Sequence, residues 1–138
     1  MSIPTILAIF GLIAIGTSDF LRKVGASQKV DIGSFMVASS AAFMLATFGY
    51  FLVQGKPFIL SLKMTGVAAS AGFMAAAAVI AMMIAFSLGG EASRIVPIVR
   101  LGLIVTALLS FIVFKEPITL TKVTGLGLGV TTIYLLTR

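Results

Sequence analysis

The stretch "ASRIVPIVRLGLIV", residues 92–105, sets Arg100 and Pro97 inside a run otherwise fit for hydrocarbon. An arginine at the centre of a spanning helix costs about 2.5–3.5 kcal/mol on insertion scales, so its place there asks for a partner or for water. Arg100 falls about seven residues after the start of this segment, on the order of 10 Å along a helix at 1.5 Å per residue. Whether that depth lies in lipid depends on the rest of the chain.

Of its 138 residues 59% are hydrophobic, and the mean hydropathy is +1.20. Soluble domains hold roughly 45–50% apolar residues. Apolar runs of about 18 residues or more, parted by short clusters of Gly, Pro, Lys and Glu, recur along the chain and predict spanning helices. Barrel strands are excluded, because those alternate apolar with polar over about ten residues. The predicted fold is therefore an all-α integral membrane protein, a bundle of five helices over residues 3–24, 32–53, 63–88, 93–114 and 119–136. The N-terminal "MSIPTILAIFGLIAIGTSDFLRK" reads as a first span rather than a signal peptide, lacking a basic start and an Ala-x-Ala site before its charges.

The breaks carry their own chemistry. Gly55 and Pro57 forbid helix continuation in "QGKPF". Gly89 and Gly90 end one helix, and Ser93 is placed to cap the next. Pro117 falls at an early helical position of the last span, with Thr119 or Thr121 near its start.

Neither cysteine nor histidine occurs. Thiol chemistry, disulfides and the usual proton shuttle are gone, and no paired carboxylates, phosphate loop or triad appears. The "GLGLG" of residues 125–129 lies in an apolar helix without a preceding strand. No enzyme activity, cofactor or metal is expected. The net charge of +6 comes from Lys and Arg lying mostly at the ends of apolar runs, where they anchor to headgroups. Membrane lipid, not nucleic acid, is the expected anionic partner.

Five crossings put the termini on opposite sides. Lys56, Lys63, Lys115 and Lys122 then lie on one side, and Arg22, Lys23, Lys29, Arg94 and Arg138 on the other. Orientation follows the excess of Lys and Arg in cytoplasmic loops, so a difference of one specifies little. Two readings stay open: insertion in both orientations, and a single orientation fixed by Arg22 and Lys23.

Small residues mark candidate packing faces, since helices in lipid associate by close approach. Gly125 and Gly129 lie four apart, Gly102 is followed at the same spacing by Thr106 and Ser110, and helix 3 carries Gly66 and Ser70. Either a specific dimer seam or ordinary packing within the bundle accounts for them. "AAAA" at 75–78 makes helix 3 locally thin, and Met74, Met82 and Met83 read as gap-fillers.

On a continuous helix Arg100 shares a face with Ser93, Pro97, Ile104 and Ala107, opposite Gly102, Thr106 and Ser110. Pro97 removes a backbone hydrogen bond and frees the Ser93 carbonyl. Crossing order puts Asp19 at a depth similar to Arg100, which makes it the natural long-range partner. The local rival pairs Asp19 with Arg22 or Lys23, one turn on. Glu91 with Arg94, and Lys115 beside Glu116, read as solvated helix-end charges.

Residues 85–136, "AFSLGGEASRIVPIVRLGLIVTALLSFIVFKEPITLTKVTGLGLGVTTIYLL", resemble the end of a repeat of the EamA-like family in the drug/metabolite transporter superfamily. The match is a Leu-Gly and Ala-Ser-Arg turn, a helix ending at Glu116, a Leu-Thr start at Leu120 and a glycine-bearing last helix. "GTSDFLRK", residues 16–23, is similar to the family's first-helix motif, with Ile15 where a tryptophan is common. "VPIVRL" most resembles single-repeat members. The resemblance implies one five-helix EamA-type repeat in the cell membrane, moving a small polar metabolite by alternating access. Relatives with two fused inverted repeats imply that two copies combine as an antiparallel homodimer. The expected binding residues are Arg100 and Asp19, with Ser18, Ser93, Thr106 and Ser110 as lesser contacts. The competing readings are a subunit of a hetero-oligomeric exporter or lipid-linked sugar flippase, and a membrane scaffold that transports nothing.

Overall fold

The computed structural model describes residues 2–137. Six helices follow one another: α1 Ile3–Ser27, α2 Ile32–Gln54, α3 Leu62–Ser87, α4 Ala92–Arg100, α5 Gly102–Val113 and α6 Leu120–Thr137. No strand occurs among the described residues. Four stretches, α1, α2, α3 and Ala92–Val113, are long and apolar enough to cross a membrane by length and composition. Arg138 lies outside the described residues. The helices form two compact units, Met1–Ser87 and Leu88–Arg138.

In the first unit α1 opens with Pro4 in its first turn, where a missing N–H is harmless. It continues three residues past the expected end at Val24. The chain then turns through Lys29, which takes a positive φ of 56°. Asp31 caps α2, its carboxylate accepting from the Ser34 N–H at 2.7 Å. The Phe35 ring lies directly over Gly25, where an added Cβ would come 2.6 Å from Phe35 Cε2. That close approach welds the end of α1 to the start of α2.

Gly55 ends α2 at φ 61°, a left-handed conformation that glycine adopts without steric cost. Its N–H returns to the Leu52 carbonyl at 3.1 Å, and the Phe58 ring closes the turn edge-on against Phe51, centroids 6.1 Å apart. Met82, Met83 and Phe86 of α3 are buried with Ala26 of α1. Met82 and Met83 thus fill space as expected, whereas Met74 faces outward. These contacts gather the end of α1, the start of α2 and the end of α3 at one pole of the unit, with α2 running opposite to α1 and α3.

Elsewhere the large apolar side chains are mostly exposed, Leu62 at 91% and Val53 at 87% among them. A surface of this kind is unfavourable in water and neutral in lipid. The hydroxyls on it are self-contained. Thr17 donates to Ile13, Thr47 to Phe43, Ser70 to Gly66 and Thr132 to Leu128, each bonding the carbonyl four residues back in its own helix.

In the second unit the expected single helix over 93–114 is two helices. The break falls at Leu101, one turn after Pro97, whose ring crowds the preceding turn and offers no N–H. There the Leu101 N–H reaches the Pro97 and Ile98 carbonyls at 3.2 and 3.1 Å, and the Ile104 N–H takes the Leu101 carbonyl at 2.9 Å, the tighter three-residue geometry. Gly102, a poor helix former, follows the break directly. Two other expectations are corrected here. The N-cap of α4 is Glu91 and not Ser93, which lies one residue inside the helix. Pro117 precedes α6 by three residues and is not in its first turn, because Lys115 at φ 51° opens an extended link. Thr119 caps α6, its hydroxyl accepting from the Lys122 N–H at 3.4 Å.

Candidate functional site

Asp19 lies eight residues before the end of α1, on the order of 12 Å along the helix, deeper than expected because α1 runs on to Ser27. It is only 2% exposed. Burying a carboxylate without compensation would cost several kcal/mol, and the compensation is local: Arg22 Nη1 donates to Asp19 Oδ1 at 2.9 Å. The i, i+3 spacing puts the two on one face of α1, so the local pairing weighed in the sequence is formed. Lys23, next along, turns toward α3 and sets its ammonium 5.4 Å from the centre of the Phe86 ring. Ser18 is half-buried beside Asp19.

Arg22 has a second environment. It stands on a groove of about 330 Å³ between α2 and α3. Met36, Ser39, Ser40 and Phe43 form the α2 wall, and Gly72, Ala75, Ala76 and Val79 the α3 wall. Both walls follow the spacing i, i+3, i+4, i+7, one face of a helix each. The groove exists because the α3 face is built of Gly and Ala, so the thinness legible in "AAAA" has a concrete result.

The second unit holds a different constellation. Lys122 Nζ lies 3.3 Å from Glu116 Oε2 and 3.2 Å from the Pro117 carbonyl, and 5.8 Å from the centre of the Phe111 ring. All four adjoin or line a cavity of about 460 Å³ that Ser110, Thr121 and Gly125 also face, Pro117 from beside it. Glu116 is thus tied to α6, not merely solvated. The pair is about half exposed, which keeps its contribution to stability small. Arg94 and Glu91, 3.9 Å apart and well exposed, match their expected role as solvated charges.

Of the expected binding residues, the structure brings Asp19 to Arg22 and Ser110 to the cavity beside Lys122. Arg100 ends α4 and is exposed, and Ser93 and Thr106 are exposed as well. The Thr106 hydroxyl is bonded to the Gly102 carbonyl at 3.2 Å. Arg100 and Asp19 belong to different units. Ala107 and Ser110 share one cavity wall, as residues three apart on one helix do, so the expected placing of Ser110 opposite Ala107 is corrected. At Gly102, Gly125 and Gly129 an added Cβ would meet nothing within 4 Å among the described residues, and Gly66 is equally open. Gly25 is closely packed instead, and the four-residue spacing rule passes over it because its neighbour is an aromatic ring on the next helix.

Comparison with known proteins places nothing beside this geometry. No family model, characterised protein or solved structure matches the chain.

Proposed function

We propose that the chain is a small multi-pass carrier of the cell membrane, a single-repeat member of the EamA-like family that its second half resembles. In this reading α1, α2, α3, the α4–α5 segment and α6 are five spans. Two copies, inserted in opposite orientations, move a polar metabolite by alternating access, as inverted-repeat transporters do. Arg100 recognises an anionic or zwitterionic group, Asp19 serves as counter-ion, cation contact or proton site, and Ser18, Ser93, Thr106 and Ser110 supply lesser contacts. Gly102, Gly125 and Gly129, open on their own chain, are available to a second copy.

The observation that carries the reading is Asp19, a carboxylate 2% exposed within a 25-residue apolar helix. Ionisable groups at such depth are costly and mark solute or ion pathways by default. A scaffold needs no charge at that depth.

The test is flux in proteoliposomes, screened against amino acids, organic anions, nucleotide sugars and lipophilic cations, with and without a pH gradient. The carrier reading expects uptake of one class, lost in Asp19→Asn and Arg100→Met while both proteins stay folded and monodisperse. No flux of any class, or flux untouched by both substitutions, sinks it.

A further inference from the structure

The groove on Arg22 changes character along its length. Its charged mouth lies at the pole where α1 ends and α2 begins, a pole fixed by the Gly25–Phe35 contact and by Lys23 over Phe86. From Met36 to Phe43, and from Val79 back to Gly72, the walls run two helical turns inward, about 10 Å at 1.5 Å per residue. Arg22 supplies the charge near the mouth, and Ser39 and Ser40 stand midway along the α2 wall. The Ser39 hydroxyl is occupied with the Met36 carbonyl at 3.0 Å. The α3 wall of Gly72, Ala75, Ala76 and Val79 offers only hydrocarbon and backbone along its length, as does Phe43 at the deep end.

The charge at the mouth is also unbalanced. Arg22, Lys23 and Lys29 share this pole with two acids, Asp19 and Asp31, and Lys23 is directed to the Phe86 ring. Arg22, 23% exposed, is the cation that the groove meets. A guanidinium carries five N–H donors in a planar fork suited to carboxylate and phosphate oxygens. At about 330 Å³ the groove is at the small end of ligand sites.

From this polarity gradient we infer that the groove binds a single-chain anionic amphiphile, its phosphate or carboxylate head on Arg22 and its alkyl chain along Phe43 and the Ala75–Ala76 face. Free inorganic phosphate would leave the apolar depth unfilled. A cationic amphiphile would meet Arg22 with the wrong sign. The site serves whether or not the chain transports anything, since it needs only the first unit and a surrounding amphiphile phase.

The test uses the full chain in a neutral, zwitterionic micelle, with dodecyl phosphate bearing a photoreactive diazirine near its chain end. Labelling, mapped by mass spectrometry, is expected on the segments 40–43 and 72–76. Dodecyl phosphate without the diazirine should compete. Arg22→Gln should weaken binding about tenfold, the loss of one charge-assisted contact, and Arg22→Lys should recover most of it. Ala76→Leu, which fills the groove and leaves the charge in place, should abolish labelling in protein that still elutes as a single species.

Equal competition by dodecyltrimethylammonium, or by inorganic phosphate alone, overturns the proposal. So does a cysteine at position 76, made by Ala76→Cys, that crosslinks to a second copy and blocks the probe, since the groove is then a protein interface. Labelling is independent of flux. Loss of transport with labelling intact fails the carrier reading alone, and transport without labelling fails this one alone.

Discussion

Arg22 reaches back one turn of α1 to hold Asp19, Nη1 to Oδ1 at 2.9 Å, with the acid 2% exposed and the base 23%. Cutting one partner from a buried pair leaves the other charge uncompensated, which costs about 3–5 kcal/mol when both are sealed. Here Arg22 keeps some access to its surroundings, so Asp19→Asn is expected to cost about 3 kcal/mol, the low end of that range. Thermal unfolding in micelles, followed by circular dichroism, measures it. An unchanged midpoint would mean that the pair contributes nothing to the fold.

The contact between Gly25 and Phe35 predicts a second loss. A methyl at residue 25 would sit 2.6 Å from the ring edge, inside any tolerable carbon contact, so Gly25→Ala should destabilise the first unit by about 1–3 kcal/mol. Because the obstruction is the ring, combining it with Phe35→Leu should recover part of the loss. A purely additive double mutant would place the cost elsewhere.

Asp31 predicts a pH dependence. The Ser34 backbone N–H and hydroxyl, bonded to its carboxylate, hold its pKa below the ordinary 3.8. A group whose folded pKa is depressed contributes stability above its unfolded value and loses it as pH falls through the folded one. The first turn of α2 should therefore stay capped down to about pH 4 and weaken below it. Carboxyl chemical shifts of Asp31 across pH 2–6 check this. A midpoint at or above 3.8 would contradict the cap, and Asp31→Ala should remove the acid sensitivity of the Ser34 amide.

The junction at Leu101 predicts a soft point in the second unit. Its amides use three-residue hydrogen bonds of poorer geometry, so Gly102–Ile104 should exchange with deuterium faster than the middle of α5. Gly102→Ala has open space for its methyl and gains about 1 kcal/mol of helix propensity. It should slow that exchange, and Pro97→Ala should slow it further. Equal protection on both sides of Leu101 would remove the junction as a point of flexure.

Much of the fold was legible because each signal was local. Apolar runs of sufficient length gave α1, α2 and α3 within a few residues, and Gly55, Gly89 and the Lys-Glu-Pro cluster marked turns through their backbone preferences. What escaped depended on neighbours distant in sequence. Pro97 announced a disturbance, but the helix yielded at Leu101, where the poor helix former Gly102 follows. The glycines spaced by four are open and Gly25 is packed, a difference hidden in sequence because a packing partner cannot be read from the packed residue alone. Of the candidate site, Asp19 and its local base were visible in a three-residue spacing. The groove beside them needed α2 and α3 to align Ser39 with Ala75, and the link from Lys122 to Glu116 needed Pro117 to turn the chain back.

The threonines and serines along these helices lead to one last consequence. With Thr47, Ser70 and Thr132 each donating inward to their own backbone, the exterior they decorate offers hydrocarbon few protons to grip. Recognition across those faces must come from contour, and so should answer to acyl-chain length and bilayer thickness far more than to ionic strength.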